Sequence, residues 1–274
     1  MRYVFSVVIG LALAGCGDDA RPAELCTGAW HVCGGHLRDA DGRAVILRGM
    51  NVGKKEPPYF DFHGEGDFAR MRSEWGMNAM RFYMTWAAVE PTQGVYDDAF
   101  LDGVRTRLDW AAASGIDVIL DLHQDVYGEG FGFDGAPRWT CAEQRYTDFM
   151  PSSPWPLNYL DPNVKACFDE LWNDPAKGEA HAAVWRHIAE RLGDHPAVIG
   201  FDVINEPHWG GADLFTFERD RLQPFYDRDV AAIRFRLGPT LKIGLAVELW
   251  NRDSTFDSED TDRTTVTTLL EYTP

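Results

Sequence analysis

The sequence predicts an α/β protein, a (β/α)8 (TIM) barrel of which about strands one to five are present. Three observations predict it. From residue 44 onward, short apolar runs alternate with amphipathic helical stretches, the pattern of a parallel sheet covered by helices. Polar residues stand at the C-terminal ends of four successive strands, the face where such barrels assemble their sites. The turn after the first strand, Gly53-Lys54-Lys55-Glu56-Pro57-Pro58, lacks G-x-G-x-x-G, which argues against a doubly wound nucleotide-binding fold.

The elements follow in order. Residues 31–43 read as a hairpin with Asp41-Gly42 as its turn. The first barrel strand covers 44–51, and its helix, about 67–75, stops at Gly76. The second strand is 79–84. Its helix, about 98–113, takes Asp97 as N-cap and turns Phe100, Leu101, Val104, Leu108 and Ala111 inward. Gly115 ends that helix and the third strand, 117–122, follows. Residues 124–177 form a long insertion rich in Gly, Pro and Trp, a length that marks function more often than mere connection. A third helix (about 179–192), a fourth strand (197–204), a helical region over 214–237 broken near Pro224, and a fifth strand (241–247) complete the reading.

Composition narrows the function. A hydrophobic content of 45% with 13% aromatic residues supports a full core. The formal charge of −17, from 26 basic and 43 acidic residues, offers no basic stripe to nucleic acid or to anionic lipid. Arg2 precedes an apolar run, 4–13, that is too short to span a bilayer. Leu13-Ala14-Gly15-Cys16 then resembles a bacterial lipobox. Residues 1–15 are therefore expected to be a signal peptide and Cys16 a lipidated residue. An exported lipoprotein would be anchored at the periplasmic face or cell surface; an ordinary signal peptide cut nearby is the alternative. Residues 16–28 read as a linker, 29–250 as the partial barrel and 251–274 as an irregular tail.

Without Cys16 four cysteines remain: Cys26, Cys33, Cys141 and Cys167. An even number in an oxidising compartment predicts up to two disulfides. Three pairings exist, and proximity favours Cys26–Cys33 and Cys141–Cys167. The spacings do not suit a metal, and neither a metal nor a cofactor is expected.

The strand ends carry the chemistry. The first delivers Arg48-Gly49-Met50-Asn51 and then Lys55; the second, Arg81 ahead of Trp86; the third, Asp121-Leu122-His123-Gln124-Asp125; the fourth, Asn205-Glu206-Pro207. In this order and spacing the motifs resemble glycoside hydrolase family 5, the cellulase-like superfamily, over residues 48–209. Lys55-Glu56-Pro57-Pro58-Tyr59, His123-Gln124-Asp125 and Asp134-Gly135-Ala136-Pro137-Arg138-Trp139 resemble its endoglycoceramidase branch.

The resemblance implies a retaining β-glycosidase acting as a monomer on a glycan or glycolipid, with glycosphingolipid-type β-glucosides ahead of β-1,4-glucan. Retention needs two carboxyl groups about 5–5.5 Å apart across the scissile bond. Glu206 is the expected acid/base, with Asn205 beside it directed at the sugar 2-hydroxyl. Arg81 would hold the nucleophilic carboxylate, or be an ordinary buried ion pair. His123 would hydrogen-bond the sugar or the carboxylates, or be a core histidine. Lys55 and Asp125 would contact sugar hydroxyls, or be solvated charges. Trp209, with Tyr127 and Trp139, would line the cleft or pack the loops. His181, His187 and His195 read as surface or packing residues. The family keeps its nucleophile on strand seven, and the 67 residues after Pro207 are too few for three further units. Glu248 ends strand five instead. The chain is therefore expected to be a C-terminally truncated member without its nucleophile, and the alternative function is an inactive relative or weak carbohydrate binder.

Overall fold

The computed structural model describes residues 30–33 and 36–237. They belong to two compact units that divide after Ile46. In the first, β1 (Trp30–Cys33) and β2 (His36–Asp39) pair antiparallel, with Cys33 opposite His36. Asp41-Gly42 is therefore not the turn between these strands, as the sequence predicts. It closes the next turn, where Gly42 N–H donates to Asp39 O (2.9 Å) and Asp39 N–H to Arg43 O (3.0 Å). Ala44 then bridges Arg38, and Val45 N–H donates to Leu37 O (2.8 Å). The backbone of residues 44 and 45 thus extends the pairing with β2, and the first barrel strand starts later than predicted.

The second unit runs β3 (Gly49–Val52), α1 (Glu65–Ser73), β4 (Ala79–Thr85), α2 (Trp86–Val89), α3 (Asp98–Ser114), β5 (Asp117–His123), α4 (Glu143–Asp148), α5 (Pro162–Asn173), α6 (Pro175–Leu192), β6 (Val198–Asp202) and α7 (Gln223–Leu237). The four strands form one parallel sheet in the order β3-β4-β5-β6. Strand alternation sorts the side chains. Met80, Phe82 and Met84 of β4 and Val118, Leu120 and Leu122 of β5 are buried in the core, together with Leu101, Val104 and Leu108 of α3 and Val184, Trp185 and Ile188 of α6. The residues between them, Arg81, Tyr83, Asp121 and His123, face the other way.

The helices obey their local signals. Asp97 caps α3 by accepting from Phe100 N–H (2.9 Å), and Gly115 closes it at φ 68°. The insertion holds α4, α5 and the start of α6. Asp161-Pro162 and Asp174-Pro175 each place an N-cap acceptor before a proline at the first helical position. Ahead of α7 the chain makes a π-helical turn over Glu218–Leu222, so the predicted break precedes Pro224 rather than falling at it. Cys141 and Cys167 form a disulfide with a Cα–Cα distance of 5.6 Å. Cys16, the Cys26–Cys33 pairing, the fifth strand and Glu248 lie outside the described residues. Among the described residues no helix is long and apolar enough to cross a membrane.

Candidate active site

Register builds the site. Tyr83 of β4 lies beside Asp121 of β5, and Asp121 beside Asp202 of β6; one step further, Thr85 lies beside His123. These positions share the face turned away from the helical core. Gly53, at φ 140°, lets the end of β3 approach this layer, since a Cβ there would stand 2.7 Å from that of Tyr83.

The charged side chains form an unbroken sequence of alternating sign. Asp202 accepts from Arg81 Nε (2.8 Å), and Arg81 Nη2 lies 2.9 Å from Asp121 Oδ1. Asp121 Oδ2 meets His123 Nδ1 at 2.8 Å, and His123 Nε2 is 3.5 Å from Asp125. Asp125 is ion-paired with Lys55, whose Nζ is 3.6 Å from Asp134. Four carboxyls thus alternate with three cationic groups. Interior members have two partners of opposite sign and end members have one.

The titration behaviour follows. Burial, reinforced by Asp121, pushes the Asp202 carboxyl up to about 6 despite Arg81. At the other end burial and Asp125 push Asp134 up to about 6 against the pull of Lys55. Burial would raise Asp125 too, but hydrogen bonds from His123 and Lys55 outweigh it and leave its carboxyl below the ordinary value. Asp121, fully enclosed, is raised by burial even with two cationic partners. Burial disfavours charged His123, yet Asp121 and Asp125 hold its imidazole above the ordinary value.

Asn205 joins this chain of charges to the acid. Its Oδ1 accepts from Arg81 Nη2 (2.9 Å), its Nδ2 donates to Gln124 O (3.0 Å), and the same Nδ2 lies 3.5 Å from His123 Nε2. Glu206 follows at the strand's exit with φ 43° and an exposed side chain. Its carboxylate has no hydrogen-bond or ion-pair partner among the described residues. It is therefore the one strand-end carboxylate of the four delivering strands free to address a ligand.

The structure brings Arg81, His123, Asn205, Lys55 and Asp125 into one network. Trp209, three residues after Glu206, is half-buried and stacked on His208 with ring centroids 4.0 Å apart, and it makes no direct contact in this network of charges. Tyr127 is buried, and Trp139 packs edge-on to Trp86 while donating to Glu90 O (3.2 Å); both pack loops. Asp202, Tyr83 and Asp134 belong to the network although no motif assigns them a role. Tyr83 stacks obliquely on His123, with centroids 4.3 Å apart. Period-two alternation from Arg81 to Tyr83 is the signal that could have found one of the three. His123, Asp125 and Asp134 could offer three ligand atoms within 4.8 Å of one another to a metal, but the Lys55 ammonium already answers both carboxylates.

An unpaired strand-end carboxyl above a braced arginine, on a parallel barrel sheet, puts the molecule with the barrel glycosidases as a class. Within that class the chain belongs to glycoside hydrolase family 5. The family model described as cellulase (glycosyl hydrolase family 5) matches residues 38–269, a longer span than the motifs alone indicate. Endoglycoceramidase I of Rhodococcus hoagii is 32% identical over 210 residues, covering 74% of this chain and 42% of that protein. A glucosylceramidase of Rhizopus delemar is 26% identical over 242 residues, covering 64% and 35%. Two solved structures of endo-glycoceramidase II from Rhodococcus sp., a cellobiose-like imidazole complex and a ganglioside GM3 complex, are 37% and 36% identical with TM-scores of 0.68 and 0.67. Each covers 73% of this chain and 49% of that one. The chain spans less than half the length of these relatives, and the fold they share is the (β/α)8 barrel.

Proposed function

We propose that this chain carries the acid/base side of a retaining β-glycosidase acting on glycosphingolipid-type β-glucosides. One observation carries the reading: Glu206 leaves β6 exposed and unpaired, directly after an Asn205 that is clamped by Arg81 and Gln124. In the first half-reaction the acid form of Glu206 gives its proton to the departing glycosidic oxygen. In the second its carboxylate takes a proton from the attacking water. Asn205, fixed at both ends of its amide, is left little freedom to turn and can orient a sugar hydroxyl. The family resemblance puts the nucleophile on the seventh strand, and the described residues hold four parallel strands.

The substrate class rests on two supports. The three branch-like segments, separate in sequence, meet as Lys55, Asp125 and Asp134 in a single ion-paired cluster. The relatives named for glycosylceramide cleavage match over most of this chain. A cationic Lys55 flanked by two carboxylates offers donors and acceptors to sugar hydroxyls. We also propose that Cys16 is lipidated and anchors the exported protein; release from the membrane fraction in Cys16→Ser is the expected result, and a wild type already soluble ends that idea.

The test, in a protein that carries the complete barrel, is turnover of a fluorogenic β-glucoside and of a glucosylceramide. Glu206→Gln should lower it by about 10²–10⁴-fold, with azide restoring cleavage of the activated aryl substrate. Unchanged turnover in Glu206→Gln overturns the assignment. Glycan binding with no Glu206-dependent turnover supports the competing reading, a carbohydrate binder without hydrolysis.

A further inference from the structure

Among the described residues three non-glycine residues have φ in the left-handed region: Val126 (51°), Tyr127 (75°) and Glu206 (43°). Side chains with a Cβ adopt that region only when the surroundings hold them there. Glu206 is further constrained because it precedes a proline, which favours extended backbone. Two of the three, Tyr127 and Glu206, meet at one side chain. Gln124, buried just past the end of β5, donates from Nε2 to Asn205 O (2.6 Å) and to Glu206 O (3.0 Å). Its Oε1 accepts from Tyr127 N–H (2.8 Å). The amide has one workable orientation, because turning it over would set its oxygen against two carbonyl oxygens and its NH2 against an N–H. The position is made for it: Gly135 lies so close that a Cβ there would be 2.5 Å from Gln124 Cβ.

We infer that Gln124 is a positioning residue that holds the Glu206 turn in its left-handed conformation and so aims the acid/base at the ligand. It acts on backbone, not on substrate. Without its amide, two carbonyls beneath the turn lose their donor and the turn relaxes toward the extended form favoured before proline. The Glu206 carboxyl then swings away from its position. Asn205 keeps its side-chain contacts with Arg81 and with the backbone of residue 124, so ligand binding is affected less than proton transfer. The insertion after β5 thereby contributes to the site, because the Tyr127 N–H in its tight turn holds the Gln124 amide that reaches the segment beyond β6.

Two variants test this. Gln124→Met keeps the bulk and removes the hydrogen bonds; Gln124→Glu keeps the acceptor and can donate only when its carboxyl is protonated. The first readout, hydrogen exchange across residues 203–208 of this chain, stands whether or not Glu206 is the acid/base. Exchange there should quicken about tenfold or more in Gln124→Met while β4 and β5 stay at wild-type rates. The second readout is kinetic and rests on the proposed role of Glu206. In Gln124→Met kcat should fall by roughly 100-fold, with KM changed less than about threefold. In Gln124→Glu the deficit relative to wild type should shrink as pH falls, because the protonated carboxyl can again donate to the two carbonyls; a mere packing role gives a pH-independent deficit. Wild-type exchange in Gln124→Met overturns the inference, as does failure of both variants to fold, which would assign Gln124 to stability alone. If the wild type has no Glu206-dependent turnover, the acid/base reading falls and the exchange result still decides the role of Gln124.

Discussion

Two buried histidine–aspartate pairs in this molecule have nearly the same geometry and very different company. His123 meets Asp121 at 2.8 Å at the end of β5, and His181 meets Asp229 at 2.9 Å between α6 and α7. In both, the aspartate is wholly enclosed. The second pair stands among rings: His181 lies edge-on to Trp86, and Phe225 is 4.8 Å away. The first is the centre of seven ionisable groups of alternating type, with Asn205 and Asp125 beside the second imidazole nitrogen. The pair itself therefore does not mark a site. What marks it is continuation: a histidine whose second nitrogen leads onward to other polar groups and finally to an unpaired carboxylate.

The sharpest way to break this contrast is to remove one aspartate from each setting. Asp229→Ala leaves His181 enclosed with no charged partner, and unfolding in guanidinium should show a loss of about 3 kcal/mol. Turnover per folded molecule should not change. A loss under about 1 kcal/mol would show that the helical pair is idle rather than structural.

Asp121→Asn is the matching change on the strands, and its effect on stability should be smaller, about 1 kcal/mol. Arg81 keeps Asp202 and Asn205, and His123 keeps Asp125, so no charge is stranded. Catalysis should respond more than stability, because Asp121 accepts from Nδ1 of His123 and fixes the plane of its ring. The pH dependence of the His123 ring, followed by NMR, is the second check. His123 is held above its ordinary value, so the stability it contributes is fully present below about pH 6.5 and is lost as pH rises through the raised value. Asp121→Asn should move that loss to lower pH. A larger stability loss than in Asp229→Ala would refute the idea that the chain of charges is redundant.

The same contrast explains what is legible in the sequence. Strand order, the α3 cap at Asp97, Arg81 within β4, His123 at the end of β5 and Asn205-Glu206 just past β6 are readable, because periodicity and punctuation are local. The first strand reads too long because the backbone of residues 44 and 45 pairs with β2, and nothing in their pattern names that partner. Asp202 is hidden inside an apolar run, and its register with Asp121 lies beyond a bulge at Val118 and Ile119 that no period of two reveals. Asp229 cannot be paired with His181 from the sequence across 48 residues. Gln124 stands out only as part of a motif, since a side chain that serves backbone carbonyls leaves no pattern of its own.

The smallest expected effect concerns the ends of the charge sequence, and here the sign separates a load from a support. Asp202 has one cation, Arg81, and a like-charged neighbour, Asp121; its carboxyl is raised from 3.8 to about 6. A raised carboxyl binds its proton more tightly in the folded than in the unfolded state, so stability falls as pH climbs from about 4 to about 6 and stays lower above that. The side chain retains 27% of its exposure, so the full value of the shift is damped by solvent, to about 1 kcal/mol. Asp202→Asn removes the proton-linked term, while Arg81 still holds Asp121 and Asn205. Urea unfolding at about pH 7.5 should therefore show the variant more stable than wild type by about 1 kcal/mol, and at about pH 4 the advantage should vanish. Asp134→Asn should behave alike at the other end, since Lys55 retains Asp125. Loss of stability at both pH values would mean that the end carboxylates brace the network, and the account of a surplus negative charge pushed to its ends would fail.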